Sequence, residues 1–188
     1  MVERTDWDVI VIGGGPAGST TARYVAEGGM DVLVIDSRES IGSPFQSGEL
    51  VPSNDEMKRL CPDVPDVDDL LQTPEHAISL RTSELHLVPP SGRPLRYPFE
   101  GLMLDRVAHD EWLVNLAKSI GVNYLTGARV ESVDGESVSL RDGREFTARI
   151  IVGAGGHNDP LRRSRWDESS LKIPIKFALM DGDFGDAV

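Results

Sequence analysis

Residues 6–36 constrain the fold more than any other stretch of this chain. They read DWDVIVIGGGPAGSTTARYVAEGGMDVLVID. The apolar run over 9–12 predicts a buried strand, and Gly13-x-Gly15-x-x-Gly18 follows it at once. Helical spacing then puts Ala22, Val25 and Ala26 on one apolar side, and Gly28-Gly29 ends the helix. A second apolar run, 32–35, closes on Asp36. Each part of this strand–turn–helix–strand–acid order has a mechanical job. Gly13 permits a tight turn, Gly15 lets a pyrophosphate approach the bare backbone, and Gly18 lets the helix pack on the strand. The helix N-terminus offers N–H groups and partial positive charge to phosphates. Asp36, 18 residues beyond Gly18, stands where a carboxylate can accept hydrogen bonds from a ribose diol. The expectation is dinucleotide binding. The alternative is a doubly wound domain whose glycines serve turn geometry alone. The motif by itself leaves NAD, NADP and FAD open. Asp36 opposes a 2′-phosphate by charge, and Arg38 weakens that opposition.

A chain of 188 residues is enough for one domain, or one and part of another. At that size it can bury about 70% of its unfolded surface. Thirty-one acidic residues face 19 basic ones, a net charge of −12. This lacks the basic footprint of nucleic-acid binding, so no nucleic-acid partner is expected. The acidity suits solubility, and equally a halophilic protein whose self-repulsion is screened by concentrated salt. Only Lys58, Lys118, Lys172 and Lys176 are lysines. Cys61 is the sole cysteine, which leaves no intrachain disulfide and no CxxC pair and suits a reducing cytosol. No run of 18 apolar residues occurs. Glu3, Asp6 and Asp8 ahead of a very short apolar run read as the approach to a strand rather than a signal peptide.

Beyond Asp36, residues 37–52 (SRESIGSPFQSGELVP) predict a loop leaving the carboxyl end of a strand, where open α/β sheets bind ligands. Residues 54–60 suit a short helix capped by Ser53 or Asn54, and 62–69 a solvated acidic loop. Short strands are expected at 77–80 and 85–88, with Pro89-Pro90-Ser91-Gly92 as a turn. His76, His86 and His109 have no ligand spacing, so no metal is expected. Asp105 is a good N-cap for a helix in which Ala108, Trp112, Leu116 and Ile120 recur every four residues until Gly121. A strand at 123–125 follows. Segments 129–133, 137–140 and 145–150 predict a small antiparallel meander, with Asp134-Gly135 and Asp142-Gly143 as turns. Residues 150–152 then run into Gly153-Ala154-Gly155-Gly156, a second glycine-rich strand end.

Four blocks together resemble the flavin-dependent geranylgeranyl reductase family, within the larger group of p-hydroxybenzoate hydroxylase-like flavoproteins. They are DVIVIGGGPAGSTTA with Asp36, PFQSGELVP, LDRVAHDEWLVNLAKSIGV, and IIVGAGGHNDPLRR. The resemblance implies an α/β, Rossmann-like FAD-binding fold with a central parallel sheet, a small antiparallel meander and an incomplete substrate domain. It implies an FAD-binding domain over 1–165, with 43–100 contributing to a substrate or cap region, and an atypical or truncated segment over 166–188. FAD is the implied cofactor, held by Gly13, Gly15, Pro16, Ala17, Gly18, Asp36 and Ser37. Arg38 would lie beside the adenosine ribose, and Val130 would offer backbone contacts to adenine. Gly48 and Glu49 would line the flavin and substrate cavity. Arg106 would lie near the pyrophosphate or flavin ring, and Gly155 in the second glycine-rich end. The implied chemistry is hydride delivery from reduced flavin to isolated double bonds of a polyprenyl lipid, as in saturation of archaeal lipids. Ferredoxin or NAD(P)H would supply the electrons. The implied location is cytoplasmic and peripheral to the membrane.

The chain also departs from the family. Ser47 stands where many members have Cys, and Gly155 where they usually have Asp. Gly185-Asp186-Ala187 resembles a later motif whose carboxylate binds the ribityl chain, but it arrives far earlier than in the family. Asp186 is the expected stand-in for that contact. Two other readings share the scaffold. One is a flavin-dependent monooxygenase, although the Trp-x-Trp-x-Ile-Pro stretch of halogenases does not occur here. The other is an inactive FAD-binding fragment.

Overall fold

Val32, Leu33, Val34 and Ile35 are all at most 1% exposed. Four consecutive apolar side chains can be hidden together only if both faces of their strand are covered, as in a parallel sheet. The computed structural model describes residues 4–44, 48–70 and 72–166. In chain order its strands are β1 (Asp6–Ile12), β2 (Val32–Ile35), β3 (Leu50–Pro52), β4 (Ile78–Leu87), β5 (Leu95–Leu104), β6 (Asn123–Leu125), β7 (Val130–Asp134), β8 (Ser137–Leu140) and β9 (Glu145–Gly153). Its helices are α1 (Pro16–Glu27), α2 (Asn54–Leu60), α3 (Val67–Leu70), α4 (Arg106–Ser119) and α5 (Pro160–Arg165). These elements fall into two compact units. The first holds the described residues up to 44 and from 110 on; the second holds those between.

The first unit is a six-stranded sheet in the order β6-β2-β1-β9-β8-β7. Strands β6, β2, β1 and β9 run parallel, while β8 pairs antiparallel with β9 and β7 antiparallel with β8. Side chains alternate between its faces. Ile10, Ile12, Leu33 and Ile35 join Val138, Phe146 and Ala148 in one core. Val9, Val11, Val32 and Val34 join Ala22 of α1 and Ala117 of α4 in the other. Both alanines are fully buried, and their small side chains let the helices lie close on the valines.

The meander is not a separate sheet. The segments expected at 145–150 and 150–152 are one nine-residue strand, β9, which pairs antiparallel with β8 and parallel with β1. A strand has two hydrogen-bonding edges, and β9 uses one for each partner.

The second unit holds a three-stranded antiparallel sheet in the order β3-β5-β4. The two short strands expected at 77–80 and 85–88 are a single ten-residue strand, β4, paired with a ten-residue β5 that the sequence reading did not assign. The pairing register shifts between Thr82 and Glu84, which breaks the alternation, and Pro98 sits opposite Glu84 beside that shift. Proline is tolerated in strands at such irregularities. The 62–69 stretch, expected as a solvated loop, leads into the single turn α3, whose Val67 is 3% exposed. Ser53 caps α2, its Oγ accepting from the Glu56 N–H at 3.3 Å.

Candidate functional site: the glycine turn and its acid

At the carboxyl end of β1 the chain must turn sharply into α1. The Gly13 N–H donates to the Ile35 carbonyl at 2.8 Å, and the Ala154 N–H donates to the Ile12 carbonyl at 2.8 Å. The ends of β2, β1 and β9 are thereby tied together. Gly13 has φ +103°, which disfavours any side chain, and a Cβ there would stand 2.5 Å from the Ala154 carbonyl oxygen. A Cβ on Gly18 would overlap the Gly13 carbonyl oxygen. Gly15 is different: among the described residues beyond its own helix turn, a Cβ there would meet only Arg38 Nη2, at 4.0 Å. The turn is closed at Gly13 and Gly18 and open at Gly15.

Gly15 is the N-cap of α1, with no side-chain capping bond and no acid in the first turn. Pro16 at the start has no N–H to lose, and first-turn N–H groups such as those of Ala17 and Gly18 have no partner within the helix. An open backbone face beside an uncapped helix N-terminus is the chemistry that receives a phosphate. These residues fit the pyrophosphate of a dinucleotide.

Asp36 directly follows β2 and is 5% exposed. Its Oδ2 accepts from the Gly14 N–H at 2.7 Å and from Arg38 Nη2 at 2.7 Å. Its Oδ1 accepts from the Arg38 N–H at 2.8 Å and from Arg38 Nε at 2.9 Å. Burial pushes this carboxyl up, but the bonds from Arg38 and Gly14 outweigh it and hold the group below the usual carboxylate range. Arg38 is in turn raised by its bonds to Asp36. Ser37 between them is exposed. The 127–130 segment lies alongside: the Gly127 N–H donates to the Arg38 carbonyl at 2.8 Å and the Ala128 N–H to the Asp36 carbonyl at 2.9 Å. Val130 follows, 8% exposed, at the start of β7.

Gly155 is brought against the turn, its Cα 2.9 Å from where a Gly13 Cβ would stand. Its N–H donates to Asp159 Oδ2 at 2.6 Å. Asp159 is 4% exposed, and its Oδ1 caps α5 by accepting from the Arg162 N–H at 2.8 Å. Asp159 was missed in the sequence, because its partners are the backbone N–H groups of Gly155 and Arg162. Ser19 and Tyr124 were missed too. Tyr124 Oη donates to Ser19 Oγ at 3.0 Å, and Ser19 Oγ donates to the Gly14 carbonyl at 2.9 Å. Burial pushes the Tyr124 hydroxyl up. This hydroxyl chain braces the turn from β6, across 105 positions of sequence that no local pattern connects.

The remaining expected residues belong to the second unit or lie outside the described residues. Arg106 opens α4, and its Nη1 donates to the Gly48 carbonyl at 3.2 Å. The Glu49 carbonyl accepts from the Leu104 N–H at 2.8 Å. Asp105 caps α4 as expected, its Oδ1 accepting from the N–H groups of Val107 and Ala108 at 3.0 and 3.1 Å. Ser47 and Asp186 lie outside the described residues.

Residues 8–59 match the model of the FAD-dependent oxidoreductase (DAO) family. A Methanosarcina barkeri protein, described as an uncharacterized protein in the nifH2 5′ region, is 30% identical over 88% of this chain and 90% of its own length. The geranylgeranyl diphosphate reductase of Rhodobacter capsulatus is 33% identical, over 92% of this chain but 42% of the reductase. The chain therefore spans most of one relative and less than half of the other. Its fold is similar to that of a geranylgeranyl bacteriochlorophyll reductase-like protein from Thermoplasma acidophilum, with a TM-score of 0.63 and 24% identity over 79% of this chain and 38% of that one. That likeness bears on fold alone. By its match over residues 8–59, its relatives and its glycine turn, the chain belongs to the family of FAD-dependent oxidoreductases, whose cofactor is FAD.

Proposed function

We propose that this chain holds FAD on the turn of its first unit and takes part in saturating isolated double bonds of an isoprenoid lipid. The observation that carries the reading is the bare, open face of Gly15 at an uncapped helix N-terminus, in a chain 33% identical to a geranylgeranyl diphosphate reductase. Gly13, Pro16, Ala17 and Gly18 shape the phosphate cradle. The backbone at Val130 meets adenine, and Gly155 keeps the second strand end close. Gly48, Glu49 and Arg106 are the proposed flavin-side residues of the second unit, and Asp186 the proposed ribityl contact; their support is the family resemblance. Bound and reduced, FAD supplies a hydride to one alkene carbon, while a proton completes the other. The residues of the chain bind, orient and exclude water.

Contact with a lipid surface is part of the proposal. Its support is the end of the β4–β5 hairpin, where Leu87, Val88, Leu95 and Tyr97 are 47–67% exposed. Residues 85–99 carry Arg93 and Arg96 and no acid, in a chain of net charge −12. No helix among the described residues is long and apolar enough to cross a membrane.

The test is single-turnover reduction. The purified chain is loaded with FAD, reduced without oxygen and mixed with geranylgeranyl diphosphate. The reading predicts products heavier by two hydrogens per reduced bond, with flavin reoxidation in step. Reoxidation by oxygen alone, with the prenyl chain unaltered, would rule it out.

A further inference from the structure

Pairing register makes the far half of the β4–β5 hairpin a ribbon with two unlike faces. Leu85 stands opposite Tyr97, His86 opposite Arg96, and Leu87 opposite Leu95. Residues paired across a ladder point to the same side, and successive residues to opposite sides. One face therefore carries Leu85, Leu87, Leu95 and Tyr97, and the other Glu84, His86, Arg96 and Pro98. Leu87, Leu95 and Tyr97 are exposed, as is Val88 just past the end of β4. On the polar face His86 Nε2 lies 2.9 Å from Glu84 Oε2. Arg96 stands beyond that pair, and Arg93 lies in the connection between the strands. The connection is stiff. Pro89, Pro90 and Pro94 fix backbone angles in it, and the Gly92 N–H donates to the Pro89 carbonyl at 2.9 Å. A preset loop loses less freedom when it docks.

An element with one apolar and one cationic face lies in the plane of a membrane interface. Its apolar side chains sink to the acyl boundary, and its cations stay level with the headgroup phosphates. Charge then selects the lipid. With a net charge of −12, the chain as a whole is repelled by an anionic bilayer. Screening confines that repulsion to about 8–10 Å. The Leu87–Leu95 pair lies about 10 Å along the ribbon from Glu84, at the rise of a strand, and residues 85–99 hold no acid. The end of the ribbon therefore meets such a surface with its cations ahead of its nearest acid.

We propose that the far half of this hairpin is an interfacial ribbon for anionic bilayers. Leu87, Val88, Leu95 and Tyr97 enter the acyl boundary, and Arg93 and Arg96 bind lipid phosphates. This rests on the lipid-surface contact proposed above and names the charge of that surface and the face that enters it. An acidic protein would engage the arginines and leave the leucines wet. A second copy would cover the leucines but set arginine against arginine.

The test is co-sedimentation of the full chain with two kinds of vesicle, phosphatidylcholine alone and an equal mixture with phosphatidylglycerol. Salt is held at about 0.1 M, where the Debye length is about 10 Å. Wild type is expected on the mixed vesicles and at least tenfold more weakly on phosphatidylcholine. Arg93→Gln with Arg96→Gln is expected to lose about thirtyfold, the effect of two cations at an anionic surface. Arg129→Gln with Arg141→Gln makes the same change of charge at exposed positions of the first unit and is expected to stay within threefold. Leu87→Ala with Leu95→Ala is expected to lose tenfold or more while melting close to wild type. Equal binding to the two vesicles keeps a lipid contact and overturns the proposal. So does a hairpin arginine pair that loses no more than the control pair. Wild-type binding by the leucine variant overturns it too, because the contact is then electrostatic alone. Wild type that binds neither vesicle ends the lipid contact itself, and with it this proposal. Hydride delivery is read separately, in solution, by the single-turnover experiment.

Discussion

Strands β1 and β2 and strands β4 and β5 treat their apolar side chains in opposite ways. In β1 and β2, Ile10, Val11 and Val32 to Ile35 are at most 1% exposed, with neighbours on both faces. In the β4–β5 hairpin, Leu87 and Leu95 are paired across the ladder and remain 49% and 52% exposed. A strand covered on both faces is held by its own unit. A ribbon with exposed leucines holds its shape through backbone pairing and leaves those side chains open to the proposed lipid contact. The same residue type therefore does two jobs. Substitutions that treat the two places alike reveal which job is done where.

The largest difference is expected from leucine itself. Leu33→Ala removes a fully buried side chain and costs about 2–5 kcal/mol of stability. Leu95→Ala stays within about 0.5 kcal/mol, as exposed sites usually do. Chemical denaturation of both variants checks this, and equal losses would mean that the hairpin end is packed after all. Gly18→Ala comes next. Its Cβ overlaps the Gly13 carbonyl, and overpacking of this kind costs about 1–3 kcal/mol. Gly15→Ala, with open space at that face, is expected to melt close to wild type. Ser19→Ala leaves the Gly14 carbonyl and Tyr124 hydroxyl without their shared partner, a loss of about 1–3 kcal/mol for a buried polar group. The double variant with Tyr124→Phe is expected to cost less than the sum of the two single changes.

The smallest effect is in acid. The folded-state pKa of Asp36 lies below its ordinary value, so its bonds contribute stability that is fully present above that ordinary value. The contribution fades as pH falls through the ordinary carboxylate range toward the depressed folded value. Asp36→Asn is expected to flatten that part of the stability–pH curve. An unchanged slope below pH ~4 would place the acid sensitivity elsewhere.

The same contrast explains what could be seen in the sequence. β1, α1 and β2 were legible because double burial makes unbroken apolar runs and because the turn admits only glycine at Gly13 and Gly18. β5 was not, because Pro98 and a half-exposed apolar pattern argue against a strand until its partner is known. β9 was cut in two because its antiparallel and parallel halves look like different elements along the chain. At the site, the types and positions of Asp36 and Arg38 were plain, but the rotamer that locks one on the other was not. Asp159 and Ser19 bond to backbone groups of the two glycine-rich ends, which leaves no complementary residue to find, and Tyr124 reaches the Ser19 hydroxyl from 105 positions away.

Flavin binding at Gly15 is settled by one comparison of visible absorption spectra: wild type and Gly15→Glu, each purified and then mixed with FAD. Gly15 has an ordinary backbone angle and open space beside it, so the glutamate fits the fold while placing bulk and negative charge on the phosphate face. The prediction is a flavin spectrum retained by wild type and lost by a variant that melts normally. Equal flavin content in the two proteins would contradict the assignment of the cofactor to this turn.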